Sequence, residues 1–412
     1  LWKSSSSGWT AVTLFNEISF TKGIGTAPAE GSTLTQGANT ATIKRVVLTS
    51  GTWVAGTAAG RLIVTTPAPG SFNGTVPSSV VTMTIAAPCV VTWAAHGLAN
   101  GRTVVFTTTG ALPTGLTAGV AYYVVNAAAG TFEVSATSGG ASITTTGTQS
   151  GVHTATASNA TVGTINLTLS GAETAITFAA GGRFKCVVAN FGGSPNTNRI
   201  YGCDGVNRGF EFDGTVLVPI TTGMTTDTPT HVYAHKLQLF FSFVGSAQHS
   251  GPGTPYVWSV ITGASEIGMG DTVNGFMSQP GSESTGALAI FTRNQTSILY
   301  GTGVANWQLI PYRSELGAYA HTIQVIGMTM FLDDQGVTTL QTAQTFGNFA
   351  HDSVTARVKT WLSQQRSKAV ESCVVRDKSQ YRLFFSDGYA LYLTFAGKKI
   401  VGSMPVVFPN AV

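Results

Sequence analysis

Apolar and polar residues alternate with a period of two in short runs along most of the chain, and turn pairs such as Asp-Gly and Asn-Gly separate the runs. The stretch YRLFFSDGYALYLTF, Tyr381 to Phe395, is the densest case. Two aromatic-rich runs meet at Asp387-Gly388, a dipeptide suited to a two-residue hairpin turn in which both central residues take φ > 0. That turn predicts Phe385 facing Ala390, Phe384 facing Leu391 and Leu383 facing Tyr392, with apolar groups on both faces. A hairpin of that kind needs other sheets packed on either side of it.

The same pattern recurs upstream. Hairpin-like segments surround Gly205, His249, Gln295, Gly336 and Gly388, and these markers stand 44, 46, 41 and 52 residues apart. A period of about 40 to 50 residues, each unit holding four short strands, is the signature of a β-propeller blade. Five such units fit residues 181–397, and AVTLFNEISFTKG near the start is expected to supply strands for a closing blade. One segment breaks the β pattern. HDSVTARVKTWLSQQRSKAV carries Val354, Val358, Trp361 and Leu362 at helical spacing, with Asp352 or Ser353 available as a cap.

Residues 32–180 have a different texture, rich in Thr, Gly, Ala and Val and nearly free of charge, with close turn signals such as Asn100-Gly101. The expected architecture is all-β: a β-propeller with an inserted small β-sandwich or barrel module. Residues 1–31 are read as an N-terminal segment contributing strands to the propeller, 32–180 as the insertion, and 181–412 as blades and C-terminal tail.

Composition narrows the function. Charged residues make up 10% of the chain, against about 25% in ordinary globular proteins. With 22 Lys+Arg and 18 Asp+Glu, bulk charge gives no support to nucleic-acid binding. The charge is unevenly placed: nine basic and four acidic residues follow position 351, whereas 181–350 holds seven basic and ten acidic. Arg357, Lys359, Arg366 and Lys368 concentrate on the candidate helix and are the candidate subunit or partner interface. A solvated helix face is the ordinary alternative.

Cys89, Cys186, Cys203 and Cys373 form no short-spaced pair and are read as buried thiols. No apolar run approaches the roughly 20 residues of a membrane helix. The chain opens on Leu1 rather than Met, so preceding residues are expected to have been removed or to lie outside the sequence.

Candidate chemistry is sparse. His231 and His235 have metal-pair spacing for a helix, but on a strand they stand about 13 Å apart. Asp333-Asp334 precedes Gln335-Gly336 and reads as turn. GIGTAPAEG and GTGVANW complete no dinucleotide fingerprint, and GASEIG is not a nucleophile elbow. No catalytic, cofactor or metal-binding residue is therefore expected.

Several segments together carry a resemblance. HGLANGRTVVFTTTGALPTGLTAGVAYYVVNAAAGTFEVSAT resembles a small β module of bacteriophage structural proteins, itself similar to a β domain of ubiquitin-activating enzymes. The upstream GTWVAGTAAGRLIV resembles another Thr/Gly-rich repeat of phage virion proteins. NRIYGCDGVNRGFEFDGT, HKLQLFFSF, GALAIFTRNQTSILYGTG and MTMFLDDQGVTTL are similar to the propeller nozzle, or tail tubular, proteins of short-tailed phages. The resemblance implies a non-enzymatic virion protein forming a homo-oligomeric ring, usually of six copies, at the distal end of the tail. Its partners would be adjacent tail, adaptor and fibre proteins, with double-stranded DNA in transit. It transfers no active-site residue, and Cys89 has no catalytic context. A charge-poor chain suits a DNA passage, since each phosphate neutralised adds salt-dependent affinity that opposes sliding. A receptor-binding tail adhesin and a propeller glycan hydrolase remain as alternatives.

Overall fold

In the computed structural model the described residues are 1–412 apart from 7, 194–196, 280–285, 314, 343–348, 354, 356–357, 398 and 409–412. They divide into two compact units, Leu1–Thr177 with Thr215–Val218, and Phe178–Gly214 with Pro219–Val412. The chain starts with a two-stranded hairpin, β1 (Trp2–Ser5) and β2 (Gly8–Ala11), whose Trp9 is exposed.

Next come β3 (Asn16–Ile24), β4 (Thr33–Gln36), β5 (Asn39–Ser50) and β6 (Ala58–Val64). A second set, β7 (Ser78–Met83), β8 (Val90–Thr92), β9 (Thr103–Thr108), β10 (Ala121–Val125), β11 (Thr131–Ser135) and β12 (His153–Ala157), closes on itself as a barrel in the order β10-β11-β8-β7-β12-β9. The chain then returns through β13 (Ala160–Val162) and β14 (Ile165–Ala175) to complete the first barrel, β13-β14-β3-β6-β5-β4. One small barrel is thus inserted into another. The inner faces fill separate cores, one around Phe20, Ile43, Trp53, Leu62 and Leu167, the other around Val91, Phe106, Tyr122, Phe132 and Val134.

This corrects the expected role of the N-terminal strand. β3 pairs with β14 and β6, not with a blade. The reason lies in its pattern: Ile18 and Phe20 are buried while Ser19 and Thr21 are exposed, a one-faced alternation that suits a barrel wall. Trp53 stacks on Phe20 at 5.2 Å, and a Cβ at Gly23 would stand 2.3 Å from the Trp53 ring.

Thr156 at the end of the inserted barrel pairs with Ser78 at its start. The link back to the outer barrel is polar: Asn166 Nδ2 donates to Gly101 O at 2.9 Å, Thr103 N donates to Asn166 Oδ1, and the Arg102 guanidinium donates to Ser158 O. We therefore expect residues 78–157, expressed alone, to unfold cooperatively by circular dichroism. The chain lacking 79–157 is expected to keep its remaining β signal; aggregation of both products would sink this.

Among the described residues, the strands after the barrels form five four-stranded antiparallel sheets. They are β15 (Lys185–Ala189), β16 (Arg199–Cys203), β17 (Phe210–Phe212) and β18 (Leu217–Pro219); β19 (Val232–His235), β20 (Gln238–Phe243), β21 (Ser246–His249) and β22 (Ser265–Gly268); β23 (Val273–Ser278), β24 (Leu288–Thr292), β25 (Thr296–Tyr300) and β26 (Gln308–Arg313). After these stand β27 (Gln324–Val325), β28 (Thr329–Asp333), β29 (Gly336–Thr342) and β30 (Phe349–Ser353), then β31 (Ala369–Val375), β32 (Gln380–Phe385), β33 (Tyr389–Ala396) and β34 (Lys399–Val407). The chain is all-β: a barrel inserted in a barrel, followed along the sequence by a β-propeller.

The middle sheets are apolar on both faces because each lies between two others. Every residue of β20, β24 and β28 is buried. Phe241 packs with Tyr201 of the first sheet, whereas its neighbour Phe240 packs with Ile290 of the third. Phe291 and Phe331 join the third and fourth sheets, and Met330 and Leu332 meet Tyr381 and Leu383 of the fifth.

The fifth sheet departs from the expected hairpin. Leu383 pairs with Leu391 and Phe384 with Ala390, one residue off the predicted register. Gly388 takes φ +82° and its N–H donates to Phe385 O, so Ser386-Asp387-Gly388 is a three-residue loop, not a two-residue turn. The shift sorts the side chains: Tyr381, Leu383, Leu391, Leu393 and Phe395 share a buried face, and Arg382, Phe384 and Tyr392 a half-buried one.

The expected helix shrinks to α1 (Lys359–Gln365), followed by a 3-10 turn at Arg366–Lys368. Asp352 and Ser353 belong to β30, and Val358 holds the cap position. Leu362 is buried against the fourth and fifth sheets, with Val358 and Trp361 beside it, while Val354 lies outside the described residues. Among the described residues no helix is long and apolar enough to cross a membrane. The cysteines are free, but Cys186 is exposed and Cys373 half-buried, because alternate positions of β15 face outward and β31 is only partly covered.

Candidate functional site

The first strand of each sheet abuts the first strand of the next for β15, β19 and β23, and again for β27 and β31, which places these strands at the propeller hub. The fifth sheet meets the first through charge: Glu371 of β31 accepts from Arg183 Nη2 at 2.8 Å and from Lys185 Nζ at 3.1 Å. Against a burial that would raise it, Lys185, the Ser372 N–H and Arg183 hold the Glu371 carboxyl below its ordinary range.

A cleft of about 140 Å³ opens at the hub between Lys185, Cys186, His231, Tyr233, Asn274, Met277 and His321. Its floor depends on a bulge at Val273–Gly275 in β23. Gly275 takes φ +155°, and a Cβ there would sit 2.6 Å from Ile323 Cδ1, so the close approach requires glycine. Asn274 is fixed from outside by donating its Nδ2 to Ala318 O at 2.7 Å.

His231 and His321 stack across the cleft, with centroids 5.3 Å apart and planes 29° from parallel. Burial first, then His321, Lys185 and Arg183, push His231 down to about 3. Burial and the same two cations bring His321 down to about 4, with Glu371 opposing. Both imidazoles are therefore neutral near pH 7. His321 has a left-handed backbone, φ +64°, unusual for a non-glycine residue. Ser372 Oγ donates to its carbonyl at 2.9 Å, and Tyr381 Oη donates to the next carbonyl, Thr322 O, at 2.8 Å. Those bonds hold the ring in place.

The residues singled out from sequence lie elsewhere. Arg357 is outside the described residues, and Lys359 is exposed at the start of α1. Arg366 donates to Asp334 O and stands 3.8 Å from the Asp334 carboxylate; Lys368 pairs with Asp387 at 2.8 Å. Arg366 and Lys368 thus tie α1's C-terminal side to two hairpin tips. Asp333 accepts from Gln335 N at 2.7 Å and Asp334 pairs with Arg293 at 2.8 Å, so both are engaged at their turn. His235 is turned away to Ser278 Oγ at 2.7 Å and does not share a ligand site with His231.

The sequence reading missed His321, Lys185 and Glu371. A usable signal existed: His231 and His321 are 90 residues apart, the same separation as the turn markers Gly205 and Gln295, hence two repeats apart in phase. Among the described residues, no three His, Cys, Asp or Glu side chains assemble as a metal-ligand set.

No family model and no curated protein matches the chain. Solved structures give distant similarities, each with a TM-score of 0.34. The AfRom2 CNH domain is 10% identical over 57% of this chain and 75% of its own. BBS1N, solved in complex with ARL6DN, is 12% identical over 60% of this chain and 74% of its own. PorZ, a surface component of the type-IX secretion system of Porphyromonas gingivalis, is 10% identical, and this chain, aligned over 100% of its length, spans 40% of PorZ.

Proposed function

We propose that this chain is a structural virion protein, the ring-forming nozzle at the distal end of a short phage tail, where it encloses the passage for DNA. The observation that carries this reading is a propeller joined to a barrel within a barrel, the inserted barrel being built from the segment that resembles phage structural modules. Surface chemistry supports assembly. The edge strand β34 exposes Val401, Met404 and Val407, and Trp9, Val188, Val244 and Ile261 are exposed elsewhere, on a chain with few charges. Exposed apolar groups with little charge between them are what a homomeric interface covers. Turnover plays no part in this reading: the hub cleft is lined by no carboxylate.

The test is native mass spectrometry with class-averaged electron microscopy of the purified chain. A closed ring of six copies with an axial opening is the expected result. A stable monomer at micromolar concentration overturns the reading, and a trimer favours the adhesin instead.

Arg357, Lys359, Arg366 and Lys368 belong to this proposal as a subunit or partner interface. Because Arg366 and Lys368 already pair within the chain, replacing all four by Gln tests assembly best when the single replacement Lys359→Gln is run beside it. Loss of rings in both supports the interface. Intact rings with altered, salt-sensitive DNA release would instead place these residues along the passage.

A further inference from the structure

We propose that the hub cleft is a binding site for a small oxyanion, of phosphate or carboxylate type, received by the His231 and His321 imidazoles beside Lys185. The inference is independent of any ring assembly. It begins with two unmet polar atoms: His231 Nε2 and His321 Nδ1 are both buried and have no hydrogen-bonding partner within the protein. Buried polar groups are nearly always satisfied, so two orphans on rings that line one cleft call for a partner from outside the protein. His231 itself is 9% exposed.

The hydrogen-bond network next to His231 assigns its proton. Ser242 Oγ accepts from the His231 backbone N–H at 2.9 Å and lies 2.9 Å from Thr230 Oγ1, which lies 3.1 Å from His231 Nδ1. Both hydroxyl protons find an acceptor when Ser242 donates to Thr230 and Thr230 donates to Nδ1. Nε2 then carries the ring proton and is an unmet donor on a ring that lines the cleft.

Local charge chooses between an anion and a metal. Arg183 and Lys185 face the pair against the single carboxylate of Glu371, so the neighbourhood is positive by one charge. A divalent cation would enter against that field, and among the described residues no third His, Cys, Asp or Glu side chain joins the two imidazoles as a ligand set. An oxyanion would enter with the field and meet the His231 N–H donor and the Lys185 ammonium. The pinned left-handed backbone of His321 and the side-chain-free Gly275 keep that pocket formed before the ligand arrives.

The experiment is isothermal titration of the full chain with inorganic phosphate and, separately, with acetate and with Zn²⁺. Saturable binding of phosphate or acetate with a Kd below about 1 mM is expected, and whichever binds identifies the oxyanion type. His321→Gln, at a ring that is only partly buried, is expected to weaken that binding at least about tenfold, as are His231→Gln and Lys185→Met. Absence of binding by both anions, unchanged affinity in His321→Gln, or Zn²⁺ binding without anion binding overturns the proposal. Should His231→Gln fail to fold, His321→Gln and Lys185→Met decide it alone.

Discussion

Acidification from about pH 7 to about pH 5 is expected to destabilise the propeller by about 4 kcal/mol, well before its carboxylates titrate. The effect comes from two buried rings. His231 is held down to about 3 by burial and by His321, Lys185 and Arg183, and His235 to about 4 by burial and the adjacent Lys236. In the unfolded chain both return to the ordinary 6.5 and take up protons as the pH falls. Between 6.5 and their folded values the unfolded state therefore binds more protons, and stability falls as pH falls. Each ring contributes about 2 kcal/mol at about pH 5. His321, also down to about 4, adds to the same trend, but less, since it is partly exposed. Asp333, whose carboxyl burial raises, works the other way from a lower starting range. Denaturant unfolding at the two pH values checks this. A flat profile would mean that these rings are solvated, and His231→Gln should remove about half of the slope.

Much of the propeller was legible because its strands carry their own evidence. The all-apolar runs LQLFFSF, ALAIFT and MTMFLD announce sheets covered on both sides, and the tight spacing of turn residues announces the repeat. The N-terminal strand was misassigned for a complementary reason. NEISFTKGI looks like any half-buried strand, and only its pairing with β14, far along the chain, shows which core receives Ile18 and Phe20. Long-range pairing of that sort leaves no local mark.

The hub was less legible still. His321 comes to His231 only through two intervening repeats, and Lys185 reaches Glu371 across 186 residues. The alternation that exposes or buries a strand face is local; the partner of a charge is not. Aligning the repeats would have put the two histidines in phase, but not shown that their first strands meet at one cleft. The basic cluster shows the same limit. Arg366 and Lys368 look like a free polar face in sequence, yet both are tied to Asp334 and Asp387 at hairpin tips.

Phe385→Ala is expected to cost about 3–5 kcal/mol, and Phe384→Ala, one position away, about 1 kcal/mol. The three-residue loop creates this contrast. With Gly388 in the left-handed region, Phe385 joins Tyr381, Leu383, Leu391 and Leu393 against Leu362 of α1 and Met330 and Leu332 of the fourth sheet. It is 4% exposed and meets the Trp361 ring edge-on at 5.6 Å, so truncation opens a cavity that several rigid elements enclose. Phe384 lies on the half-buried face, with Tyr392 at 6.5 Å and Phe408 at 6.3 Å as its ring neighbours. Arg382 covers Tyr392 from 4.2 Å on that same face and can move to fill the space. The two-residue turn read from Asp387-Gly388 would pair Phe385 with Ala390 and Phe384 with Leu391, leaving no reason for such a difference. Denaturant midpoints of the two variants therefore report the register directly. Equal losses would contradict the one-residue shift, and a loss confined to Phe385→Ala would place the fifth sheet against the fourth through a single buried face.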